Sequence, residues 1–472
     1  MLSIEKGVPI EISNLLEKGG YSLHIKGSAG TGKTTLALEI AKNLSPKASA
    51  IYLSTRVSPE RILTQFPWVR SCLEEQDIID AKRAYISSDV QRNVAEYTDQ
   101  PEFLRSLKER IQKSERRPVT VIIDSLDALK SNLNLEDMDI TMETILLEIG
   151  EKTDTNMLFV TEKSGENRLD YLTDGVVRLE REILNGRLVR RIYLEKIRGE
   201  KIRQPYYLFT LNEGRFTSFS PKILPSLIYD MDKLVAKQEN LIPTGIKMLD
   251  TRGGIPKGSF NLLENMNGMG MEYAYILFPI ILSFIQRGCP VFVTHPYSSS
   301  IQSSYMSIIS QMGIKDENIV SISREYLYYF EFTQLKETPI LTPIRVSKDS
   351  SIDDFNELLK ESVTKTLEKL GADTFLWLVG VDTMERIYGG TNFRKAIGTL
   401  AYETNNLNGI IIAFAKQGVK SMDSLIHLST SHFVLDNVGA PVIYGVTPKT
   451  GMFAIATETM NGHDRIALVP IE

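Results

Sequence analysis

Residues 27–34 read GSAGTGKT, and the flanks of this stretch decide the fold. YSLHIKG (21–27) has the β-branched and aromatic character of a short strand, and TTLALEIAKNL (34–44) spaces its apolar residues as a helix does. Strand, glycine loop and helix in that order are the context that the pattern G-x-x-x-x-G-K-[ST] needs. Gly27, Gly30 and Gly32, with Ser28, Ala29, Thr31 and Thr35 around them, let successive backbone N–H groups turn onto phosphate oxygens with no Cβ in the way. The positive end of the following helix faces the same anion. Lys33 brings a full charge to the β and γ phosphates, and the Thr34 hydroxyl is the expected magnesium ligand. The loop is therefore expected to bind ATP and Mg2+. A glycine turn with no nucleotide is the weaker alternative.

Outward from the loop the pattern repeats. ASAIYLS (48–54) reads as a second strand, and SPERILTQF (58–66) as a helix with Ser58 as cap and Pro59 in its first turn. PVTVIIDS (118–125) is a continuous apolar run ending in an acid, as a strand buried on both faces would be, and NMLFVTE (156–162) is of the same kind. Strands alternating with helices imply a mostly parallel, doubly wound sheet. Asp124 is the candidate second magnesium residue, while Asp127 reads as a capping or surface acid. GVVRLEREILNGRLVRRIYLEKIRG (175–199) alternates around Asn185-Gly186, the signature of a hairpin and so of an antiparallel edge.

The second half repeats the plan with its key residues gone. ENMNGMGMEY (264–273) places Gly268 and Gly270 over Gly30 and Gly32, but Met271 over Lys33 and Glu272 over Thr34. CPVFVTH (289–295), TFLWLVGVD (374–382) and GIIIAFAK (409–416) match the three later strands in order, with Asp382 taken as the counterpart of Asp124. Without the lysine, and with a carboxylate where the metal-bound hydroxyl belongs, this half is expected to hold no nucleotide. The division expected is an ATP-binding domain at 1–220, a linker at 221–240 and a degenerate domain at 241–472.

Composition bounds the function. A chain of 472 residues, 42% hydrophobic and 24% charged, is ordinary for globular domains with full cores. The net charge of −5 argues against a protein that coats nucleic acid. Two cysteines make no disulfide framework, MLSIEKGVPIEIS has no basic region followed by an apolar core, and a cytoplasmic setting is expected. YAYILFPIILSFI (273–285) is too short to span a bilayer and carries Pro279, so it reads as a buried helix and no membrane partner is expected. YLYYFEF (326–332) could stack bases, but a core face is the better reading. The scattered histidines and cysteines suggest no zinc site.

At these residues the sequence resembles the KaiC-like branch of the RecA-type ATPases. IPTGIKMLDTRGGIPKGSF (242–260) looks like the opening signature of such a domain, and DGVVRLE (174–180) and LEKIRGE (194–200) resemble the closing segments. STRVSPE (54–60), followed by QFPW, is similar to the P-loop proteins related to GvpD, an archaeal gas-vesicle regulator. The resemblance implies two tandem RecA/KaiC-like α/β domains, each a mostly parallel sheet with an antiparallel edge. It also implies cytoplasmic ATPases whose protomers form a ring or dimer with ATP between neighbours. One departure matters: the glutamate pair that activates water in that branch is replaced by Arg56 and Val57, and by Pro296 and Tyr297 in the second half. A positioned general base is worth about 10²–10⁴ in rate, so slow hydrolysis is expected.

Glu162, at a strand end where RecA-type folds keep a γ-phosphate-sensing group, is the candidate substitute; a solvent-facing glutamate is the alternative. Lys196 and Arg198 match the family's K-x-R-G segment, which reaches into a neighbour's ATP. The bland reading of that strand is a charged edge guarded against aggregation. Arg56 is a further candidate, as a finger in cis. The expected function is an ATP-dependent regulator whose degenerate half meets an unidentified protein partner. A recombinase-like enzyme on DNA is the rival, and the acidic KSNLNLEDMDITMETILLEIGEKTD (130–154), where basic loops would be needed, argues against it. A purely structural paralogue is the third reading.

Overall fold

The computed structural model describes residues 2–3, 7–45, 48–81, 102–132, 139–162, 165–221, 240–246, 249–266, 273–294, 324–332, 341–347, 349–460 and 463–471. The chain divides into two compact units, Ile4–Ser220 with Ile471–Glu472, and Met1–Ser3 with Pro221–Pro470.

In the first unit the Ser22–Gly27 strand lies mid-sheet, in parallel between Thr155–Thr161 and Gly175–Leu184. Beyond Thr155–Thr161 come Val119–Asp124, Ser49–Ser54 and Ile78–Asp80, all parallel. On the other side Gly175–Leu184 turns back at Asn185-Gly186 into Arg187–Ile197, and Tyr206–Thr210 and Thr217–Ser218 extend this antiparallel edge. Asn185 and Gly186 both have positive φ, as a tight hairpin turn requires. Helices cover both faces because the central strands are apolar on both. Leu23 and Ile25 pack with Leu36, Leu38 and Ile40 of the Lys33–Leu44 helix. Ile51, Leu53, Val121 and Ile123 pack with Leu104, Leu107 and Leu146 on the other face. Ser58 stands at the N-cap of Pro59–Gln65 but its side chain makes no capping bond; the fixed φ of Pro59 starts that helix instead.

The second unit has the same strand order. Phe260–Asn265 lies between Ile410–Lys416 and Ser431–Asn437, followed outward by Leu376–Gly380, Val291–Thr294 and Leu327–Glu331. Pro441–Thr447 and Met452–Met460 form the antiparallel edge. Two sheets of this order make a tandem RecA-like α/β architecture. Tyr273–Ile285 is a helix buried along its whole length, and Leu327–Glu331 is a buried strand with Phe292 stacked on Tyr328. Among the described residues no helix is long and apolar enough to cross a membrane.

Register corrects one expectation. Asp124 lies opposite Val160, and the corresponding rung of the second sheet pairs Gly380 with Phe414. Gly380, not Asp382, thus stands at the Asp124 position. The strand ends at that rung, and Asp382, two residues further on, falls in the first turn of Val381–Tyr388, where it accepts from the Thr383 N–H and pairs with Lys416. The loop with Gly268, Gly270, Met271 and Glu272 lies outside the described residues, as do Pro296 and Tyr297.

Candidate phosphate and metal site

The loop after the Ser22–Gly27 strand takes its shape from its glycines. Gly27, Gly30 and Gly32 have φ of 154°, 76° and 102°. A Cβ on Gly27 would lie 2.5 Å from the Leu179 carbonyl oxygen, so a side chain there would break the pairing that anchors the loop. Ser28 and Ala29 are exposed at the tip. The Thr31 hydroxyl donates to the Ser28 carbonyl at 2.8 Å and braces the turn from inside. Gly32 caps the Lys33–Leu44 helix, and Thr35 is buried in its first turn.

Lys33 curls back over the loop, its Nζ donating to the carbonyls of Gly27 at 2.7 Å and Ser28 at 2.9 Å. Burial pulls its pKa below the ordinary lysine value, while Glu162, Asp124 and Asp127 oppose that pull. One helix position further, the Thr34 hydroxyl donates to Asp124 Oδ2 at 2.6 Å. The strand order dictates this meeting, since Asp124 and Gly27 both end at the same edge of the parallel sheet. Hydroxyl and carboxylate oxygens side by side are the hard donors a magnesium ion prefers.

Two residues that sequence reasoning missed hold Asp124 in place. The Tyr52 hydroxyl donates to the same Oδ2 at 2.8 Å, and burial, with this carboxylate beside it, pushes the phenol well above its ordinary pKa. The Thr55 hydroxyl donates to the Asp124 carbonyl at 3.0 Å and accepts from the Ser125 N–H at 2.9 Å. A tyrosine inside an otherwise apolar buried strand needs a polar partner, and that signal was present in ASAIYLS.

The other candidates fall in two places. Glu162 lies just beyond its strand, joined to Arg56 by an ion pair, and its backbone N–H donates to Asp127 Oδ2 at 2.6 Å. Glu162 and Arg56 are exposed, and both act on the charge of Lys33, so the structure brings them to the phosphate end of the sheet. Lys196 and Arg198 lie elsewhere. Lys196 pairs with Val176 at the opposite end of the hairpin, and its Nζ closes the Arg168–Leu172 helix by donating to the carbonyls of Asp170, Tyr171 and Thr173. Arg198 pairs with Asp174 at 3.0 Å.

A buried charged chain lies on the same strand as the loop. His24 Nδ1 is 2.7 Å from Asp170 Oδ1, and Nε2 is 2.8 Å from the Thr161 hydroxyl. Lys26 bridges Asp170 and Glu195 at 2.9 and 2.8 Å. Burial lowers the His24 pKa, against the pull of Asp170. Burial also works against the charge on Lys26, but its bonds to Glu195 and Asp170 outweigh it and leave its pKa raised.

The family model described as "GvpD gas vesicle protein, P-loop domain" matches residues 13–195. Protein GvpD2 of Halobacterium salinarum is 23% identical over 454 residues, covering 93% of this chain and 91% of that protein. Protein GvpD1 of the same organism is 23% identical over 531 residues, covering 98% and 96%. A UPF0273 protein of Pyrococcus horikoshii is 24% identical over 216 residues, covering 42% of this chain and 86% of that protein. The matched segment holds the whole glycine loop, Lys33, Thr34 and Asp124. Residues 13–195 thus carry a P-loop domain of the GvpD type, and over most of its length the chain is similar to GvpD proteins.

Proposed function

We propose that this protein is an ATP-held regulator: its first unit binds Mg-ATP and hydrolyses it slowly, and its second unit, without nucleotide, presents a surface to a protein partner. The observation that carries the reading is the convergence of Lys33, Thr34 and Asp124 on one glycine loop. The backbone of residues 27–35 and Lys33 would hold the phosphates, and Thr34 and Asp124 the magnesium. The ion would supply charge to the phosphate tail. The protein's part is to fix that tail against water and to keep Asp124 oriented through Tyr52 and Thr55.

Slow turnover follows from what surrounds the loop. Glu162 is the acid at the strand end, and it is engaged by Arg56 rather than free to polarise water. Lys196 and Arg198 sit at the sheet end away from their own loop, so a role in hydrolysis requires a neighbouring protomer in a ring or dimer. The nucleotide-free reading of the second unit rests on Met271 and Glu272 in sequence and on Gly380 at the Asp124 rung.

The test is ATP turnover by the purified protein across protein concentration, with Lys33→Ala and Lys196→Ala as controls. The expected result is slow turnover that is lost in Lys33→Ala and that rises per chain with concentration only when Lys196 is present. Turnover unaffected by Lys33→Ala would overturn the assignment. A rate per chain independent of both concentration and Lys196 would remove the neighbour.

A further inference from the structure

The hairpin of the first unit carries two like charges face to face. Arg181 on Gly175–Leu184 pairs with Arg190 on Arg187–Ile197, and directly opposed residues of an antiparallel pair point to the same face. Two residues inward on each strand the pair is Leu179 and Ile192, both buried against the helix that follows the loop. Side chains alternate along a strand, so Arg181 and Arg190 continue that row. The hairpin acids Glu180 and Glu182 point to the other face, where they pair with Arg178 and Arg191. The Leu179 rung is also where the Ser22–Gly27 strand ends, so the Arg181–Arg190 pair, two residues further along the hairpin, lies beyond that strand end and beside the loop. Arg190 Nη1 donates to the Gly30 carbonyl at 3.2 Å, and a methyl group on Gly30 would sit 3.3 Å from Arg181 Nη1.

Opposed like charges destabilise a sheet unless something offsets them. Here Arg190 is half-buried directly opposite Arg181. The group that both guanidinia adjoin is a loop built to hold phosphate. We propose that Arg181 and Arg190 form a second, cationic wall of the phosphate cradle and bind the phosphate chain of the nucleotide held by the same chain. This rests on the reading of residues 27–35 as an ATP-binding loop. It gives the basic hairpin a role in cis, distinct from that of Lys196 and Arg198 at its other end. Guanidinium suits it, because the fork donates to two phosphate oxygens at once.

The test is equilibrium titration of a fluorescent ATP analogue into the full chain with magnesium, at two salt concentrations. Arg181→Gln, Arg190→Gln and the double variant are compared with Arg187→Gln, which removes a charge from the other face of the hairpin. The expected result is binding about 10- to 100-fold weaker in the double variant with a smaller salt dependence, little change in Arg187→Gln, and partial recovery when both positions are lysine. Melting curves check that each variant is folded. Wild-type affinity in a folded double variant overturns the proposal while leaving the loop assignment intact. No binding by the wild type overturns the loop assignment and the proposal together. Recovery of binding on mixing the double variant with Lys33→Ala chains overturns the placement in cis.

Discussion

Replacing Arg215 with alanine strips a buried carboxylate on the helix after the glycine loop of its counter-charge. Glu39 lies on Lys33–Leu44 with its side chain 3% exposed. Arg215 forks onto it, Nε to Oε2 at 2.8 Å and Nη2 to Oε1 at 2.5 Å. The guanidinium lies 4.5 Å from the Trp68 ring centre, a ring that Lys42 also approaches at 5.5 Å, and Trp68 Nε1 donates to the Gly214 carbonyl. Breaking a buried pair from one side costs about 3–5 kcal/mol, because the remaining charge is left without compensation. The Arg215 side chain is 33% exposed, so water reaches the vacated side and the low end, about 3 kcal/mol, is the expected loss. Urea unfolding followed by tryptophan fluorescence measures it. The chain has two tryptophans, and a Trp377→Phe background leaves Trp68 as the reporter. Adding Glu39→Gln to Arg215→Ala should recover at least half of the loss, since it removes the stranded charge. A loss below about 1 kcal/mol, or no recovery in the double variant, would refute the reasoning.

Other perturbations have equally definite outcomes. Burial holds the His24 imidazole below its ordinary 6.5, so the unfolded chain takes up that proton first as pH falls. The stability contributed by the neutral ring is complete above about pH 6.5 and is lost below it, and His24→Gln should flatten the unfolding midpoint between pH 7 and 5.5; an unchanged slope would contradict this. Gly27→Ala, with φ of 154° and the Leu179 oxygen in the way, should cost more than about 2 kcal/mol in urea unfolding and abolish ATP binding, whereas Gly165→Ala, with open space around it, should be near neutral. Tyr52→Phe should lose about 1.5–3 kcal/mol in the same assay, because the Asp124 carboxylate gives up the Tyr52 hydroxyl donor.

The parallel core was legible because its strands are local signals. VTVIID and NMLFVT are short apolar runs buried on both faces, and Asn185-Gly186 fixes its turn through backbone conformation alone. The loop was legible for the same reason, since its glycines, lysine and threonine are contiguous. What sequence could not give was register and distance. Asp382 looks like Asp124 until the strand pairing shows that its strand has already ended. Lys196 matches a motif, yet only the fold shows it closing a helix of its own chain. Arg181 and Arg190 lie within a run of basic residues, and nothing in that run says which of them overhang Gly30. Tyr52 and Thr55 reach Asp124 through neighbouring strands that are far apart in sequence.

The central claim is a single competent nucleotide site per chain, and calorimetric titration of ATP with magnesium into the wild-type protein and Lys33→Ala tests it most directly. The account predicts one equivalent bound per chain and none in the variant. Two equivalents per chain, or binding that survives Lys33→Ala, would contradict it.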